Sequence, residues 1–438
     1  MGLLTFKGGI HPDDGKALSK DKPIVPIQAG DKLYFSLSQH IGAPAKPLVE
    51  KGSHVVRGQM IAEAGGFVSA PVYASVSGTV TGIEKMRMPA GNLTDCIVVE
   101  NDHQMEEMNY EPADWQQLSR EEILKRIQTG GIVGMGGAGF PTHVKMSPKE
   151  PDKIDYILVN GAECEPYLTS DYRRMLEEPE KVVEGLRIIL KLFPGAKGYI
   201  CIENNKRDCA EILQKCSSGV DNIEVKLLKT KYPQGAERML IYAATGRRIN
   251  SSMLPADVGC IVDNIDTVVG IYKAVAQGEP LMNRIITVTG NAVANPQNFY
   301  APTGMLFTEL LEAAGGLAHE AEKLIIGGPM MGNALFDLKI PVIKTSSALL
   351  ALTKDEVSAL EPTACINCGR CASVCPGQVL PARLAVFADH GEEAKFVEYN
   401  GMECCECGCC SFICPAKRQL TQSIKSMRKI ILAKRKKG

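Results

Sequence analysis

The hydrophobic and polar positions change their period several times along the chain, which divides it into predicted segments. Residues 1–40 are rich in Pro, Gly and Asp, and this composition predicts loops and short extended stretches. From 41 to 115, apolar and polar residues alternate in short runs broken by glycines, as in "HVVRGQMIAEAG" and "FVSAPVYASVSGTV". A period of two with V-x-x-G turns favours a small β-barrel or sandwich.

A helical period appears after residue 116 and then alternates with buried strands up to residue 283. Ser119 and Glu122 have the spacing of a capping box, which predicts an amphipathic helix that ends at Gly130 and Gly131. The strand-like "DYILVN", the helical "KVVEGLRIILKLF" and the strand-like "GYICIENN" follow. This alternation predicts an α/β domain over residues 116–283.

Three further segments follow. Residues 284–345 show two strands, a helix ended by glycines and another strand, which predict a compact β-grasp-like module. Residues 362–420 hold most of the cysteines, and residues 421–438 are predicted as a basic tail. The last 23 residues carry nine Lys and Arg and no acid, so the tail either binds anionic lipid or stays solvated. The predicted fold class is multidomain, α/β and α+β.

The composition is that of an ordinary globular protein, with 45% hydrophobic and 23% charged residues in a chain of 438. A formal net charge of -1 gives no general attraction to nucleic acid, and no nucleic-acid partner is expected. No apolar run approaches the roughly 18 residues that a bilayer span needs. The N-terminus lacks the layout of a signal peptide. We therefore expect a cytosolic chain with reduced thiols.

Ten of the sixteen cysteines lie between residues 365 and 414, in two runs that repeat C-x2-C-x2-C-x3-C followed by proline. The eight cysteines at the repeated positions are Cys365, Cys368, Cys371, Cys375, Cys404, Cys407, Cys410 and Cys414. This duplication is the signature of a two-cluster ferredoxin fold. Zinc normally needs only two C-x2-C pairs in each site, and disulfides do not predict a repeated spacing. Two [4Fe–4S] clusters are therefore favoured over zinc or disulfides.

In a two-cluster ferredoxin fold, three cysteines of one run bind one cluster and the fourth crosses to the other cluster. We therefore predict that Cys414 completes the first-run cluster and that Cys375 completes the second-run cluster. Cys405 and Cys409 are left over, either as spare buried thiols or as alternative ligands. The six scattered cysteines are predicted to be small buried hydrophobic residues; they are Cys96, Cys164, Cys201, Cys209, Cys216 and Cys260.

The predicted β domain at residues 41–115 resembles a lipoyl or biotinyl carrier domain. A carrier needs a lysine on the hairpin between its two halves to bear the prosthetic group. Residues 52–84 contain no lysine. We therefore expect this barrel-sandwich-like domain to be a docking or structural module rather than a swinging arm.

The glycine-rich stretch "GMGGAGFPTHVK" covers residues 134–145 and contains G-x-G-x-x-G at Gly134, Gly136 and Gly139. A Rossmann interpretation requires a strand before the loop, and here a helix precedes it. The glycines still let backbone amides approach a flat or anionic group, and Lys145 adds a cation suited to a phosphate. The stretch is thus a nucleotide or flavin loop or, alternatively, a packing turn.

This loop and the downstream "VNGAECEP" resemble the flavin and NADH loops of the flavoprotein subunit of respiratory complex I, as do "YPQGAERMLIYAATGR" and "VDNIDTV". The resemblance implies that FMN is held by Gly134, Gly136, Lys145, Asn160, Glu163 and Asn264. It implies that NADH is held by Phe140 and Glu165. Gly137, Gly139 and Glu237 are added as further cofactor-binding residues. Met135 and Ala162 stand where that family has an arginine and an aspartate.

The whole order of segments, from "FKGGIHP" through "GGPMMG" to the two cysteine runs, resembles the C subunit of the Rnf electron-transport complex. The resemblance implies a bacterial subunit bound peripherally at the cytoplasmic face of the membrane. It also implies hydride exchange between NAD(H) and FMN, relay through two [4Fe–4S] clusters, and partner subunits that link ferredoxin oxidation to ion translocation. The implied domains are a barrel sandwich, a complex I flavoprotein-like domain, a soluble-ligand-binding β-grasp and a two-cluster ferredoxin domain.

Two alternatives stay open at this point. One is a soluble NADH-oxidising flavin and iron–sulfur carrier that feeds a dedicated cytosolic reductase. The other is a non-catalytic iron–sulfur scaffold that has lost its flavin. The glycine loop and the acids downstream of it argue against the scaffold, because a chain without flavin has no need of them.

Overall fold

The computed structural model describes residues 3–435. Those residues form four sheets and a helical cysteine-rich region. The first strand, β1 (Ile24–Pro26), lies in the N-terminal segment. Among residues 3–435, none of the helices combines the length and the apolar composition that a bilayer crossing requires.

The barrel sandwich consists of two small antiparallel sheets that share one core. Its strands are β2 (Lys32–Ser36), β3 (Lys46–Pro47), β4 (His54–Val55), β5 (Met60–Glu63), β6 (Val72–Tyr73), β7 (Gly78–Arg87) and β8 (Leu93–Asn101). The sheet orders are β2-β8-β7-β4 and β3-β5-β6. Leu33 and Phe35 alternate along β2 and enter the core beside Ile97 and Val99 of β8, as a period of two dictates. Strand β2 precedes the domain start predicted at residue 41.

The α/β domain is built on a parallel sheet of order β11-β10-β9-β12. Its strands are β9 (Tyr156–Gly161), β10 (Lys197–Glu203), β11 (Ile223–Leu228) and β12 (Cys260–Asn264). Its helices are α1 (Arg120–Thr129), α2 (Thr142–Lys145), α3 (Ser170–Glu177), α4 (Pro179–Leu192), α5 (Arg207–Cys216), α6 (Glu237–Thr245) and α7 (Ile265–Tyr272). Ser119 and Glu122 form the capping box that starts α1, so this prediction is confirmed.

The β-grasp domain recruits a strand from the N-terminal segment. Its own elements are β13 (Asn283–Thr289), β14 (Gln297–Pro302), α8 (Phe307–Ala313), β15 (Lys323–Ile326), β16 (Asn333–Leu335) and β17 (Ala348–Leu352). The sheet order is β1-β14-β13-β17-β15-β16, with β1 parallel to β14. The edge of β14 carries unpaired backbone groups, which β1 satisfies. Residues 24–26 and 348–352 thus join this sheet from outside the predicted span of 284–345.

The cysteine-rich domain contains α9 (Arg370–Ser373), α10 (Pro381–Asp389), α11 (Glu393–Glu398), α12 (Cys409–Phe412) and α13 (Leu420–Arg435). The region predicted as a basic tail is therefore helical through residue 435, and residues 436–438 lie outside the described residues. Ile424, Met427 and Ile431 recur at helical spacing and are buried in the core that α13 forms with α10. Burial of this apolar face makes α13 part of the domain.

Short turns of other helix types complete the elements. Within residues 3–435, four 3-10 turns lie at Lys16–Leu18, Pro151–Lys153, Pro255–Val258 and Gly401–Glu403, and a π-helical turn at Lys273–Gln277 extends α7.

Candidate functional site

The carboxyl ends of β9 and β12 meet where the strand order of the parallel sheet reverses. After β9 the chain adds β10 and β11 on one side and then returns to place β12 on the other side of β9. Asn160 at the end of β9 and Asn264 at the end of β12 are direct partners in the parallel register. Open α/β sheets bind ligands in the crevice outside the carboxyl ends of the strands at such a reversal. The topology therefore places the candidate site above these two asparagines.

The glycine loop lies over this crevice. Its base is closed because Gly134 N–H donates to the carbonyl of Phe140 at 2.9 Å. A Cβ placed on Gly136 would lie 3.1 Å from the Cβ of Asn264, so the loop backbone touches the strand end directly. Gly137 is exposed, and a Cβ there would meet nothing within 4 Å. The tip of the loop therefore presents bare backbone beside the paired asparagines.

Hydrogen bonds fix the orientation of both asparagine side chains. The Asn160 amide donates to the carbonyl of Gly235 at 2.9 Å, which ties β9 to the segment before α6. Asn264 caps α7, since its Oδ1 accepts from Asp266 N–H at 2.9 Å. Its Nδ2 donates to Asp171 Oδ2 at 2.6 Å. Each asparagine is thus held in place before any ligand binds.

A buried acidic pair lies behind Asn264. Glu163 has a side chain that is only 3% exposed, and its Oε1 accepts from Asp171 N–H at 2.7 Å. Burial raises the pKa of Glu163, which the Lys16 ammonium at 3.8 Å opposes. Burial also raises the pKa of Asp171 to about 8, and the charges of Glu163 and Asp266 add to that rise. The second oxygen of Glu163 has no hydrogen-bond partner among the described residues.

Lys145 lies at the end of α2 and is paired with an acid on β12. Its Nζ donates to Asp263 Oδ1 and to the carbonyl of Val262, both at 2.8 Å. The side chain of Asp263 is fully buried, and its other oxygen has no partner within residues 3–435. Glu237 begins α6 near Lys145, and part of its side chain reaches solvent. Desolvation by the surrounding protein raises the pKa of the Glu237 carboxyl, and the positive charge of Lys145 opposes that rise.

Two of the predicted NADH contacts occupy different surroundings. Glu165 faces the β-grasp loop, where its Oε2 accepts from Met330 N–H at 3.2 Å. Burial raises the pKa of Glu165 to about 7. Phe140 is half-buried at the end of the glycine loop, and Gly139 lies before it at a φ of +66°. The carboxylate of Glu165 is thus hydrogen-bonded to the β-grasp domain, whereas Gly136, Asn160, Asn264 and Glu163 form one connected group.

Three residues of this region were not singled out by the sequence. Gln234 is completely buried, and neither atom of its amide has a hydrogen-bond partner among the described residues. Gln234 precedes Gly235 in the "YPQGAE" segment, and its position in that segment is the only feature of the sequence that could have indicated it. Asp171 and Asp263 bind residues of the site, but isolated aspartates in a sequence carry no such information.

Met135, which stands at the arginine position of the complex I flavoprotein, is buried. Its N–H donates to Thr267 Oγ1 at 2.9 Å. The guanidinium of Arg284, from the β-grasp strand β13, contacts the Met135 sulfur and the Asp266 carboxylate. An arginine from the neighbouring domain therefore lies beneath the loop that lacks one.

These features fit a flat anionic group such as FMN. The loop offers bare backbone at Gly136 and Gly137, and Lys145 supplies a cation. One carboxylate oxygen each of Glu163 and Asp263, and the Gln234 amide, are buried without a hydrogen-bond partner in the described part of the chain, which leaves hydrogen-bonding capacity unused near the crevice.

The cysteine-rich domain encloses a cavity between the two runs. The cysteines that line it are Cys375, Cys404, Cys405, Cys407, Cys409 and Cys410. Cys375 of the first run thus shares a cavity with second-run cysteines, an arrangement that fits thiolate ligation of a cluster. Cys407 and Cys410 are buried, Cys371 and Cys414 are half-buried, and Cys365 and Cys368 are exposed. Within residues 3–435, no three His, Cys, Asp or Glu side chains converge closely enough to hold a single metal ion.

Four domain families match the chain in the predicted order. The RnfC barrel sandwich hybrid domain matches residues 4–104, and the Nuo51 FMN-binding domain matches residues 127–273. The SLBB domain matches residues 285–334, and the 4Fe-4S binding domain matches residues 360–380. The predicted fold class is therefore confirmed.

Two relatives match almost the full chain. The C subunit of the proton-translocating ferredoxin:NAD(+) oxidoreductase complex of Clostridium ljungdahlii is 45% identical over 97% of this chain and 94% of its own length. The C subunit of the Na(+)-translocating ferredoxin:NAD(+) oxidoreductase complex of Acetobacterium woodii is 42% identical over 99% and 98%. Among solved structures, an NAD+-reducing [NiFe]-hydrogenase in the H2-reduced state has a TM-score of 0.50 at 17% identity, over 74% of this chain and 63% of that chain. That likeness concerns the fold alone.

Proposed function

Because the chain belongs to the family of C subunits of Rnf ion-translocating ferredoxin:NAD(+) oxidoreductase complexes, we propose that its crevice between β9 and β12 binds FMN and exchanges hydride with NAD(H). The two full-length relatives confirm three expectations from the sequence. These are the family, the oxidoreductase function and the membership of a multi-subunit complex. The chain has an FMN-binding domain and a 4Fe-4S binding domain. The observation that carries the proposal is the pairing of Asn160 with Asn264 beneath the glycine loop.

The proposed FMN contacts are of two kinds. The backbone of the glycine loop provides Gly134, Gly136, Gly137 and Gly139, and the polar side chains of the crevice are Asn160, Glu163 and Asn264. Lys145 supplies the positive charge on the same side, where Asp263 holds it in place. The proposed nucleotide contacts are Phe140, Glu165 and Glu237. Burial of Glu163 and Asp171 beneath Asn264 keeps this wall of the crevice rigid, which favours one orientation of a bound ring.

The chemistry requires an adapter between two kinds of electron carrier. NADH carries two electrons as a hydride. FMN in the crevice would supply a two-electron acceptor for them, and each [4Fe–4S] cluster bound by the cysteine runs would supply a one-electron acceptor, so two clusters would balance one NADH. We assign Cys365, Cys368, Cys371 and Cys414 to one cluster. We assign Cys404, Cys407, Cys410 and Cys375 to the other, in keeping with the cavity that these four line. No protein side chain has to act as a general base.

The proposed setting is the cytoplasmic face of a bacterial membrane, with attachment through partner subunits of the complex that exchange electrons with ferredoxin. The full-length match to two ion-translocating subunits favours this setting over a soluble carrier that feeds a cytosolic reductase. The scaffold without flavin is disfavoured by the unpartnered buried groups at the crevice, since a chain without a ligand there gains nothing from them.

An anaerobic visible spectrum, with flavin and iron analysis, tests the proposal. We expect one flavin and about eight irons per chain, the number that two [4Fe–4S] clusters contain. We also expect bleaching of flavin and cluster absorbance with NADH. NADPH should bleach the protein poorly, because Glu165 and Glu237 disfavour a ribose 2′-phosphate. A protein that holds iron but neither retains nor takes up FMN would contradict the proposed function.

A further inference from the structure

The N-terminal motif "FKGGIHP" threads between the flavin domain and the cysteine-rich domain. On the flavin-domain side, Leu4 N–H donates at 3.2 Å to the carbonyl of Leu227, which lies in the edge strand β11. Ile10 and Tyr232 exchange two backbone hydrogen bonds at 2.8 and 2.9 Å. Residues 4–10 are thus fastened to the flavin domain at both ends.

The middle of the same segment touches a predicted cluster ligand. Gly9 N–H donates to the carbonyl of Val374 at 2.8 Å. Gly8 has a φ of +88°, and a Cβ there would lie 2.9 Å from the carbonyl oxygen of Val374 and 3.0 Å from that of Cys375. On the other side, a Cβ on Gly9 would lie 2.8 Å from the carbonyl oxygen of Tyr232. Only glycines allow the two domains to approach this closely.

A lysine holds the segment in this conformation. Lys231 Nζ donates to the carbonyls of Phe6 and Gly8 at 2.5 and 2.8 Å and lies 3.8 Å from the centre of the Phe6 ring. Phe6 and Ile10 are 4% and 3% exposed, so the segment is anchored by apolar burial as well.

Part of the second cysteine run faces the same junction. The side chains of Cys407 and Cys409 pack with those of Ile10 and Tyr232 in one buried apolar group, and Cys164 of the acidic loop packs against this group. The Cys409 thiol lies 3.8 Å from the carbonyl oxygen of Tyr232. Cys365 and Cys368 of the first run are exposed instead. Cys375, Cys407 and Cys409 therefore lie at the junction, whereas the part of the first run that contains Cys365 and Cys368 faces solvent.

We propose that residues 6–10 are a positioning segment that holds Cys375 and the second cysteine run against the flavin domain, so that the second-run cluster faces the flavin and the first-run cluster faces outward. The inference rests on the proposed function, because it concerns the order in which the flavin and the two clusters of that function are arranged. In that order the second-run cluster, held by Cys375, Cys404, Cys407 and Cys410, would lie between the flavin and the first-run cluster, and both electrons of a reduced flavin would have to cross it one at a time.

The substitution Gly8→Ala tests the positioning role, with Gly91→Ala as its matched control. Gly91 has a similar φ of +86°, but a Cβ there would meet nothing within 4 Å, so the control carries the backbone strain without the clash. In Gly8→Ala we expect faster hydrogen exchange at the amides of residues 9, 10, 374, 375, 377 and 378, slower bleaching of cluster absorbance by NADH, and unchanged flavin reduction. Unchanged exchange, or the same change in Gly91→Ala, would overturn the positioning role.

Two ligand variants test the order of the clusters by electron paramagnetic resonance. In Cys365→Ser, NADH should still reduce the remaining second-run cluster. In Cys404→Ser, NADH should fail to reduce the remaining first-run cluster, although dithionite reduces it. The reverse pattern would overturn the order, as would full NADH reduction in Cys404→Ser. If Cys404→Ser assembles no cluster, the rate at which NADH bleaches the cluster absorbance of Gly8→Ala decides instead, and an unchanged rate would overturn the proposal.

The failure of the proposed function gives a different result. Wild-type protein would then show no flavin reduction by NADH, whereas the exchange measurement on Gly8→Ala would still report whether residues 6–10 fasten the second run to the flavin domain. Normal exchange in that variant counts against the inference whether or not the flavin is reduced.

Discussion

Asn160 and Asn264 are direct neighbours in the register of β9 and β12, although 103 residues separate them in the sequence. Asn264 ends β12, and Asn160 is the last residue but one of β9. Each uses its amide to fix another segment of the domain: Gly235 before α6 in one case and Asp171 on α3 in the other. The pair thereby joins two walls of the crevice under the glycine loop, the segment before α6 and helix α3. Substitutions that crowd or loosen these walls should affect flavin binding before they affect the cysteine-rich domain.

Gly136→Val should weaken FMN binding while leaving iron content unchanged. The first added carbon already lies 3.1 Å from the Cβ of Asn264, and two methyl groups would enter the crevice. Overpacking of this kind costs about 1–3 kcal/mol, which is about a fivefold to 150-fold rise in Kd. The Kd for FMN is measured by the quenching of FMN fluorescence on titration with flavin-free protein. Gly195→Val is the control in the same domain, because a Cβ there meets nothing within 4 Å. Equal Kd values in both variants would remove the loop from the site.

His143→Ala should weaken FMN binding through the barrel sandwich. His143 lies on α2, two residues before Lys145, and its Nε2 is hydrogen-bonded to the carbonyl of Phe67 at 3.1 Å. Phe67 lies between β5 and β6 of the barrel sandwich. Loss of one hydrogen bond costs about 1 kcal/mol, which is about a fivefold rise in Kd. His143→Gln keeps a donor and should recover most of the affinity. The exposed His319→Ala is the control. A normal Kd in His143→Ala would mean that the barrel sandwich does not position the flavin loop.

Lys344→Met should change how stability depends on pH. Lys344 is buried, and its Nζ donates to the carbonyls of Pro71 and Gly131, each at 2.6 Å. Burial lowers the pKa of Lys344 from 10.5 to about 7. Between pH 7 and 10.5 the unfolded chain then binds more protons than the folded one, so this lysine makes stability rise with pH in that window.

The expected gain of wild type over Lys344→Met is at most about 1.4 kcal/mol per pH unit above pH 7. Below pH 7 the lysine is charged in both states, so the difference between the two proteins should stay constant. Melting temperatures of wild type and variant at pH 6, 7, 8 and 9 measure this. A difference that does not change between pH 7 and 9 would show that Lys344 keeps its charge while buried.

Cys375→Ser and Cys404→Ser should damage the same cluster and give similar spectra. The reason is that Cys375 lines the cavity of Cys404, Cys407 and Cys410 although it belongs to the first run. Cys365→Ser and Cys414→Ser should form the other matching pair. NADH-dependent flavin reduction should survive in all four variants, because the hydride step precedes the clusters. Spectra that group Cys375→Ser with Cys365→Ser would show that each run closes its own cluster.

The sequence alone was sufficient where structure depends on residues close together in the chain. The capping box of Ser119 and Glu122 predicted the start of α1, because a cap is formed within one helical turn. The repeated cysteine spacing pointed to iron–sulfur ligation, because three ligands of a cluster lie within one short loop. The amphipathic spacing of Ile424, Met427 and Ile431 was also present, but the density of Lys and Arg drew the interpretation toward a tail.

Only the tertiary structure decided which distant segments meet. Ile24 lies opposite Asn298 in the β-grasp sheet, and Gly8 lies against Cys375, yet neither local pattern names its partner. The physical reason is that the edge of any strand offers the same backbone donors and acceptors, so pairing is selected by the packing of the whole chain. The glycines of "FKGGIHP" were visible in the sequence, but their need for close approach exists only because folding brings the carbonyl oxygens of Tyr232 and Cys375 to within a few ångströms of them.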